Sequence, residues 1–326
     1  MCQTAVFYGE ALARYGFGGS HPFGTDRLPA FWNKLQRESF DSHIIVEEPV
    51  MAGYQDAALF HDPSYVELVK VASRQGGVLL DKGDTPAFKG AFEASLYVVG
   101  STLAALDLVV KGIDKRGRKV DHAFNPIGGL HHARRDSAGG FCIFNDIGVA
   151  ILTAREKYRI KRIAYIDIDA HHGDGVFYEF EDDPLLFFAD IHEDGRYLYP
   201  GTGSSSEVGK DAAANTKLNI PLEPGASDGE FVEAFAKIEQ FVDDVKPELI
   251  ILQCGADGLA GDPITHLQYT SKAHMFATDS LHKLAHKHCK GKIIALGGGG
   301  YNRENIGTAW TQVVKSLSNE IDSIQD

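Results

Sequence analysis

The stretch that most constrains this chain is residues 162–174, which read R-I-A-Y-I-D-I-D-A-H-H-G-D. It opens with β-branched and aromatic residues, the types that strands prefer. Asp167, Asp169 and His171 then alternate, and side chains two residues apart on a strand point to the same face. We therefore predict a buried strand whose carboxyl end presents carboxylates and an imidazole around one point. A surface turn with an N-capping acid is the competing interpretation, and five polar groups within eight positions argue against it.

Candidate strands and helices alternate along the chain. We predict further strands over residues 4–8, 186–190, 248–253 and 292–296. Helices are predicted over residues 62–74, 92–111, 145–158, 174–181, 227–245 and 270–289, and a long irregular segment over 196–215. This alternation predicts an α/β fold of three layers, α/β/α, with a mostly parallel central sheet. Polar residues follow three of the strands, in the opening stretch and at Asp257 and Tyr301, and ligand sites in such sheets lie at that edge.

Composition and charge limit the partners that we expect. With 326 residues, 44% of them hydrophobic, and no linker, repeat or low-complexity run, the chain is expected to form a single domain over residues 1–326. A formal net charge of −13 argues against tight non-specific binding to nucleic acid or to an anionic membrane. No secretory signal is visible in residues 1–9, and no apolar run approaches membrane-spanning length. The four cysteines form no C-x-x-C pair, so a cytoplasmic protein with reduced thiols is expected, its oligomeric state left open.

The polar residues at the predicted strand ends are suited to hold a metal ion. Asp169, His171 and Asp257 supply two carboxylates and one imidazole, a three-ligand set that leaves one position open for water, as in catalytic zinc sites. Iron(II) is also compatible with one nitrogen and two oxygen ligands. A metal held in this way lowers the pKa of bound water and polarises a carbonyl oxygen.

A histidine pair and a tyrosine complete the candidate chemistry. His131 and His132, in a glycine-flanked turn, can transfer protons if acceptors orient their rings, and Asp167 and Asp174 are available for this. Tyr301 follows four glycines, which let a substrate carbonyl approach its phenol closely. Together these groups predict metal-assisted hydrolysis of an amide.

Four motifs extend this interpretation to a family. G-G-L-H-H-A, Y-I-D-I-D-A-H-H-G-D-G-V, C-G-A-D-G-L-A-G-D-P and L-G-G-G-G-Y, in that order across residues 128–301, resemble the signature motifs of the zinc-dependent histone deacetylases. Upstream, G-D-T-P-A-F-K-G and Y-G-F-G-G-S-H-P-F resemble the bacterial branch that includes acetoin-utilisation proteins. The resemblance implies one catalytic domain of the arginase/deacetylase fold. It also implies removal of acetyl or other short acyl groups from the Nε-amine of lysine in proteins or peptides.

The resemblance assigns a role to each catalytic residue. It implies that Asp169, His171 and Asp257 bind the catalytic metal. It implies that His132 is the general base and then the acid that protonates the leaving amine, with His131 mainly an electrostatic helper. Asp167 is expected to pair with His131, Asp174 to pair with His132, and Tyr301 to hydrogen-bond the substrate carbonyl and the oxyanion.

The resemblance also implies binding residues around this centre. The expected walls of an acyl-lysine tunnel are Gly140, Phe141, Tyr199 and Ile264. Asp84 matches a rim acid that holds the substrate backbone. Arg27 matches an arginine of an internal acetate-release channel, with a surface salt bridge as the alternative. A structural potassium ion is expected on Asp167, Asp169, the backbone of His171 and Asp190, the last at a position where many family members carry serine.

Other enzyme classes and a binding module are the alternatives. Arginases and agmatinases, of the same fold class, use two manganese ions and need acids where this chain has Gly173 and Leu259, which disfavours a ureohydrolase. A binding module without turnover would lack a metal ligand, a member of the histidine pair or Tyr301, and none is lacking.

Within the family, the alternative is an acetylpolyamine amidohydrolase acting on small acetylated amines. Such cationic substrates suit an acidic protein, whereas a rim acid at Asp84 favours acyl-lysine in proteins. Three further histidines, His282, His286 and His288, lie on the predicted helix over residues 270–289. We expect them to form a solvated face rather than a second metal site.

Overall fold

The structure, a computed structural model, describes residues 2–81, 83 and 85–319. Eight strands within this part form one sheet. They are β1 (Thr4–Phe7), β2 (Ile45–Glu47), β3 (His122–Asn125), β4 (Ile163–Asp167), β5 (Leu186–Glu193), β6 (Lys217–Leu222), β7 (Leu249–Gln253) and β8 (Ile293–Leu296). Every neighbouring pair is parallel, so all carboxyl ends lie at one edge.

The helices connect successive strands and cover the sheet. They are α1 (Glu10–Ala13), α2 (Arg27–Arg37), α3 (Tyr54–Ala57), α4 (Pro63–Gln75), α5 (Ala91–Lys111), α6 (Asp146–Tyr158), α7 (Asp174–Phe177), α8 (Asp228–Val245), α9 (Ser271–Cys289) and α10 (Arg303–Ser318). Short 3₁₀ turns occur at Asp41–His43, Tyr178–Phe180 and Asp211–Ala213. Helix α5 packs with α4 and α6, whereas α2, α8, α9 and α10 form a second contiguous group. The predicted three-layer α/β architecture is therefore confirmed.

The strand order explains why the candidate site forms at the middle of the sheet. That order is β2-β1-β3-β8-β7-β4-β5-β6. The four central strands β3, β8, β7 and β4 precede, respectively, the histidine pair, Tyr301, Asp257 and the D-x-D-x-H stretch. Segments that are up to 170 residues apart in sequence, as from His131 to Tyr301, thus reach one place because their strands are neighbours.

Local signals set most of the element boundaries. All five residues of β4 are buried, as expected for a strand covered on both faces. Helix α8 begins with the predicted capping box, in which Ser227 N–H donates to Glu230 Oε2 at 2.8 Å. Helix α5 ends at Gly112, whose φ of 71° is in the left-handed region. Asp62 occupies the N-cap position of α4, but its side chain makes no capping hydrogen bond.

The expectation that no apolar run approaches membrane-spanning length is wrong for α5. This helix has 21 residues and is long and apolar enough, by length and composition, to cross a membrane. Its packing is that of a core helix, because it lies against β3 and α6. At Gly100 a Cβ would stand 2.2 Å from the carbonyl oxygen of Val50, so the helix also packs directly on backbone.

Candidate active site

Two buried carboxylates and one imidazole meet at the carboxyl ends of β4 and β7. His171 Nδ1 lies 3.0 Å from Asp169 Oδ1 and 3.1 Å from Asp257 Oδ2, so one ring nitrogen faces both acids. One donor atom from each of the three residues lies within 4.8 Å of the other two. The predicted ligand set is thus brought together, with the spacing that a single ion needs.

Two glycines leave the space that this cluster occupies. A Cβ at Gly255 would stand 2.1 Å from Asp169 Oδ2, and a Cβ at Gly299 would stand 2.2 Å from Asp257 Oδ2. Any side chain at either position would therefore displace a carboxylate. Asp169 Oδ2 also accepts hydrogen bonds from Gly299 N–H at 2.7 Å and from the Gln253 amide at 2.8 Å. Backbone and amide donors thus fix the orientation of this carboxylate.

The electrostatics of the three groups suit a cation. Burial raises the pKa of Asp257 to about 7, and the charge of Asp169 adds to this. Burial opposes a charged His171, but hydrogen bonds to Asp169 and Asp257 outweigh it and raise the pKa of the imidazole to about 10. A divalent cation favours ionised carboxylates together with a neutral imidazole. The donor set, one nitrogen and two carboxylates, fits zinc or iron(II).

The histidine pair has the predicted acidic partners. His131 Nδ1 lies 2.8 Å from Asp167 Oδ2, and His132 Nδ1 lies 2.6 Å from Asp174 Oδ1. Because a carboxylate only accepts, each Nδ1 carries a proton and each Nε2 is directed away from its acid. Arg134 donates to the second oxygen of Asp174 at 3.0 Å and fixes that carboxylate as well.

The two imidazoles have opposite protonation at neutral pH. Burial opposes a charge on His131, but the carboxylates of Asp167 and Asp169 outweigh it and raise its pKa to about 9. Burial and the neighbouring charge of His131 lower the pKa of His132 to about 4, although Asp174 partly offsets this. One ring is therefore a cation, and the other is a neutral group that can accept a proton.

A cavity of about 380 Å³ opens onto this cluster. Its lining includes His132 and His171 together with the half-buried Tyr301. Tyr301 N–H donates to Asp262 Oδ2 at 2.9 Å, and its ring meets Phe141 edge-to-face at a centroid distance of 5.7 Å. Burial raises the pKa of the Tyr301 hydroxyl well above its ordinary value, so the phenol keeps its proton and can donate.

The four residues expected to form tunnel walls all line this cavity: Gly140, Phe141, Tyr199 and Ile264. Gly140 and Phe141 both have positive φ, 50° and 66°. A Cβ at Gly140 would stand 2.3 Å from His132 Cδ2. Glycine at this position therefore allows the backbone of the cavity wall to pack against the His132 ring. Asp84, the expected rim acid, lies outside the described residues.

The residues expected to bind a monovalent ion lie together beneath this centre. Asp167 and Asp190 are paired across β4 and β5. Both oxygens of Asp190 are already engaged, one by Gly173 N–H and one by His192 Nδ1, each at 2.8 Å. Burial opposes a charge on His192, but the carboxylate of Asp190 outweighs it and raises the pKa of the imidazole. Asp190 is therefore held by two donors, and its place among the potassium ligands stays a prediction.

Sequence reasoning missed several residues that shape the cavity. His21, Pro22 and Leu198 line it, and the only signals for them were the glycine-rich loop before α2 and the irregular segment over residues 196–215. The hydroxyl of Tyr15 donates to the Phe141 carbonyl at 2.7 Å and supports the strained wall. No periodic pattern marks these positions.

Arg27 is completely buried rather than in a surface salt bridge. Its Nε donates to the Gly300 carbonyl at 3.0 Å and its Nη2 to the carbonyl of Gly298. The guanidinium lies 3.9 Å from the centroid of the Phe23 ring. Burial lowers the pKa of Arg27 to about 10, so the group remains a cation behind the glycine run.

Comparison with known proteins agrees with this geometry. A family model described as the histone deacetylase domain matches residues 21–317. The chain belongs to the histone deacetylase family. The acetoin utilization protein AcuC of Bacillus subtilis (strain 168) is 38% identical over 324 residues, covering 96% of this chain and 81% of that protein. AcuC of Staphylococcus aureus (strain MSSA476) is 34% identical over 326 residues, covering 97% and 82%.

The crystal structure of the HDA15 HD domain also resembles this histone deacetylase-family chain. The TM-score is 0.87 at 26% sequence identity, with 97% of this chain and 88% of that chain covered. The family and the bacterial branch expected from the motifs are therefore confirmed. Gly173 and Leu259, the positions at which a ureohydrolase is expected to carry acids, are both buried.

Proposed function

We propose that this histone deacetylase-family hydrolase removes acetyl or other short acyl groups from the Nε-amine of lysine in proteins or peptides. The observation that carries the proposal is one cavity whose lining includes His171 from the carboxylate–imidazole cluster, His132 and Tyr301. These groups supply a cation site, a neutral base and a hydroxyl donor around one point. Metal-assisted hydrolysis of an amide uses all three kinds of group.

His132 is the proposed proton-transfer residue. Its Nδ1–H is bound by Asp174, so the free lone pair lies on Nε2 and the ring lines the cavity. A pKa of about 4 keeps this ring neutral at pH 7, which supports proton acceptance from the attacking water. Once protonated, the same ring can give the proton to the leaving amine.

His131 and Tyr301 are proposed to stabilise charge. The cationic ring of His131 lies 4.1 Å from the His132 ring, centroid to centroid, and Asp167 holds it in place. The hydroxyl of Tyr301 is proposed to donate to the substrate carbonyl and to the oxyanion that develops from it. His131 would therefore act by its charge, whereas Tyr301 would act by direct contact.

Asp169, His171 and Asp257 would hold a zinc or iron(II) ion, which when bound supplies a Lewis acid and lowers the pKa of water. We also propose a structural potassium ion held by Asp167, Asp169, the backbone of His171 and Asp190, the last of which is also paired with His192. Gln253 is a positioning residue, because its amide fixes one oxygen of Asp169.

The cavity lining supports an acyl-lysine side chain as substrate. Phe141 and Tyr199 can enclose the four methylenes of lysine, and Gly140 leaves room beside His132. The other candidate substrates are small acetylated polyamines, whose charge suits a chain with a net charge of −13. The two classes differ in whether a peptide backbone lies at the mouth, where Tyr199 is 52% exposed.

A substrate panel tests this proposal. The values of kcat/KM would be measured for acetyl-lysine peptides, longer acyl-lysine peptides and acetylated polyamines, with the protein loaded with zinc or iron(II). We expect acetyl-lysine peptides to be preferred by at least tenfold, and His132→Ala to abolish turnover of every substrate while retaining metal. Preference for acetylated polyamines would favour the alternative substrate class. No hydrolysis of any acylated amine by the metal-loaded protein would refute the deacetylase assignment.

A further inference from the structure

A second group of metal-binding side chains lies at the opposite edge of the sheet. One potential ligand atom from each of Cys2, His122, His282 and His286 lies within 4.8 Å of the others. Cys2 precedes β1, His122 opens β3, and the other two residues are one turn apart on α9. The amino ends of β1 and β3 are remote from the edge that carries the active site.

The expectation that the histidines of α9 form a solvated face is wrong for His282. His282 is only 2% exposed, and its ring meets that of His122 at a centroid distance of 4.4 Å. His288 does not join the cluster, since its Nε2 lies 2.7 Å from Asp243 Oδ1. The helix therefore directs His282 and His286 towards His122 and Cys2, which are far away in sequence.

The spacing of the group matches that of ligands on one ion. His286 Nε2 lies 3.3 Å from His122 Nε2 and 3.8 Å from Cys2 Sγ. Tetrahedral zinc, with bonds of about 2.0–2.1 Å to nitrogen and about 2.3 Å to sulfur, separates two nitrogens by about 3.3 Å and nitrogen from sulfur by about 3.6 Å. Both separations are within a few tenths of an ångström of these values.

The lone pairs are also available. His122 Nδ1 lies 2.9 Å from the carbonyl oxygen of Gly291, which can only accept, so the proton is on Nδ1 and the lone pair is on Nε2. His282 Nε2 is buried and has no hydrogen-bond partner among the described residues. A buried nitrogen without a partner is costly, and coordination of a metal would satisfy it.

We propose that Cys2, His122, His282 and His286 form a second metal site, which binds one zinc ion. Four protein ligands close the coordination sphere, which is typical of structural rather than catalytic zinc. The ion cross-links three parts of the chain: the segment before β1, the start of β3, and α9. It would therefore stabilise the edge of the sheet at which the strands begin. This inference does not depend on the proposed deacetylase activity.

Cobalt(II) is the probe that separates the two sites, because only the proposed site contains sulfur. Metal-free full-length protein would be titrated with cobalt(II) and followed by absorbance. A thiolate-to-cobalt charge-transfer band in the near ultraviolet is expected, reaching its maximum by two equivalents, when both sites are filled. Cys2→Ser should lose the band completely, whereas Cys289→Ser, a matched cysteine at the end of α9, should retain it.

Metal analysis of zinc-loaded protein gives the second measurement. We expect two equivalents in the unaltered chain and one in Cys2→Ser and His286→Ala. His288→Ala is the matched control on the same helix and should retain two. A variant that retains the active-site zinc ion is folded. If replacement of the half-buried Cys2 or His286 caused misfolding, the active-site zinc ion would be lost as well. The proposal is overturned if the cobalt band is absent or survives in Cys2→Ser, or if the unaltered chain binds one zinc.

Discussion

Replacing Tyr301 by phenylalanine removes one hydrogen-bond donor and almost nothing else. The contacts that hold the residue involve its backbone N–H on Asp262 and its ring on Phe141 and Phe23, and phenylalanine preserves all of them. The hydroxyl keeps its proton at neutral pH, so its proposed contribution is one donated bond to the developing oxyanion. Loss of one such donor typically costs a factor of about 10²–10³ in turnover, or about 2.7–4 kcal/mol.

The assay should separate kcat from KM. Because the bond strengthens mainly in the transition state, kcat should fall by this factor while KM changes little. Metal content should not change, since the phenol is not one of the three predicted ligands. Tyr197→Phe is a matched control, as Tyr197 is 53% exposed and outside the cavity, and its kcat should equal that of the unaltered protein.

Near-normal turnover of Tyr301→Phe on every acylated amine would refute the role assigned to this hydroxyl. An inactive variant that had also lost its metal would instead indicate that Tyr301 supports the metal cluster. A rise in KM equal to the fall in kcat/KM, with kcat unchanged, would indicate ground-state binding only.

Three further predictions follow from the same structure. Asp257→Ala should lose the active-site metal and activity together, by elemental analysis and peptide assay, and retained metal would disprove its role as ligand. A hydroxamate on a linear aliphatic linker should inhibit competitively, and failure at high concentration would mean that the cavity or the metal assignment is wrong. Burial lowers the pKa of His61 to about 3, so only the unfolded chain takes up its proton below pH 6.5. The free energy of unfolding should therefore fall by up to about 1.4 kcal/mol per pH unit between pH 6.5 and 3 from this residue alone, and urea titrations of His61→Gln should show a slope shallower by that amount.

Local patterns in the sequence determined the elements that have strong periodicity or caps. The strand within residues 162–174, the capping box of α8 and the glycine that ends α5 were all predicted close to their observed positions. Each of these features depends on interactions between residues that are close in sequence. A single segment therefore contains all the information needed to predict it. The ordered motifs likewise predicted the family, since each places a particular side chain at a strand end.

The sequence analysis missed longer elements, namely β6, α2 and α10, as well as short or polar strands. β2 has three residues and β3 four, two of them polar, which leaves no alternation to detect. β5 is longer than predicted, because it continues through His192 and Glu193, which are buried beside other polar groups. Burial of polar residues beside partners on other strands cannot be seen in one segment.

The strand order and the packing of distant segments were decided only by the tertiary structure. The adjacency of β3 and β8 brings the histidine pair opposite Tyr301, and the loop before α2 brings His21 to the cavity. At the other edge of the sheet, β1 and β3 bring Cys2 and His122 next to α9. The sequence of α9 alone does not indicate which of its histidines face inward. The sequence specified which side chains exist and what they can bind. The relative positions of the strands determined which of them share a site, because contacts between segments depend on the pairing of the whole sheet.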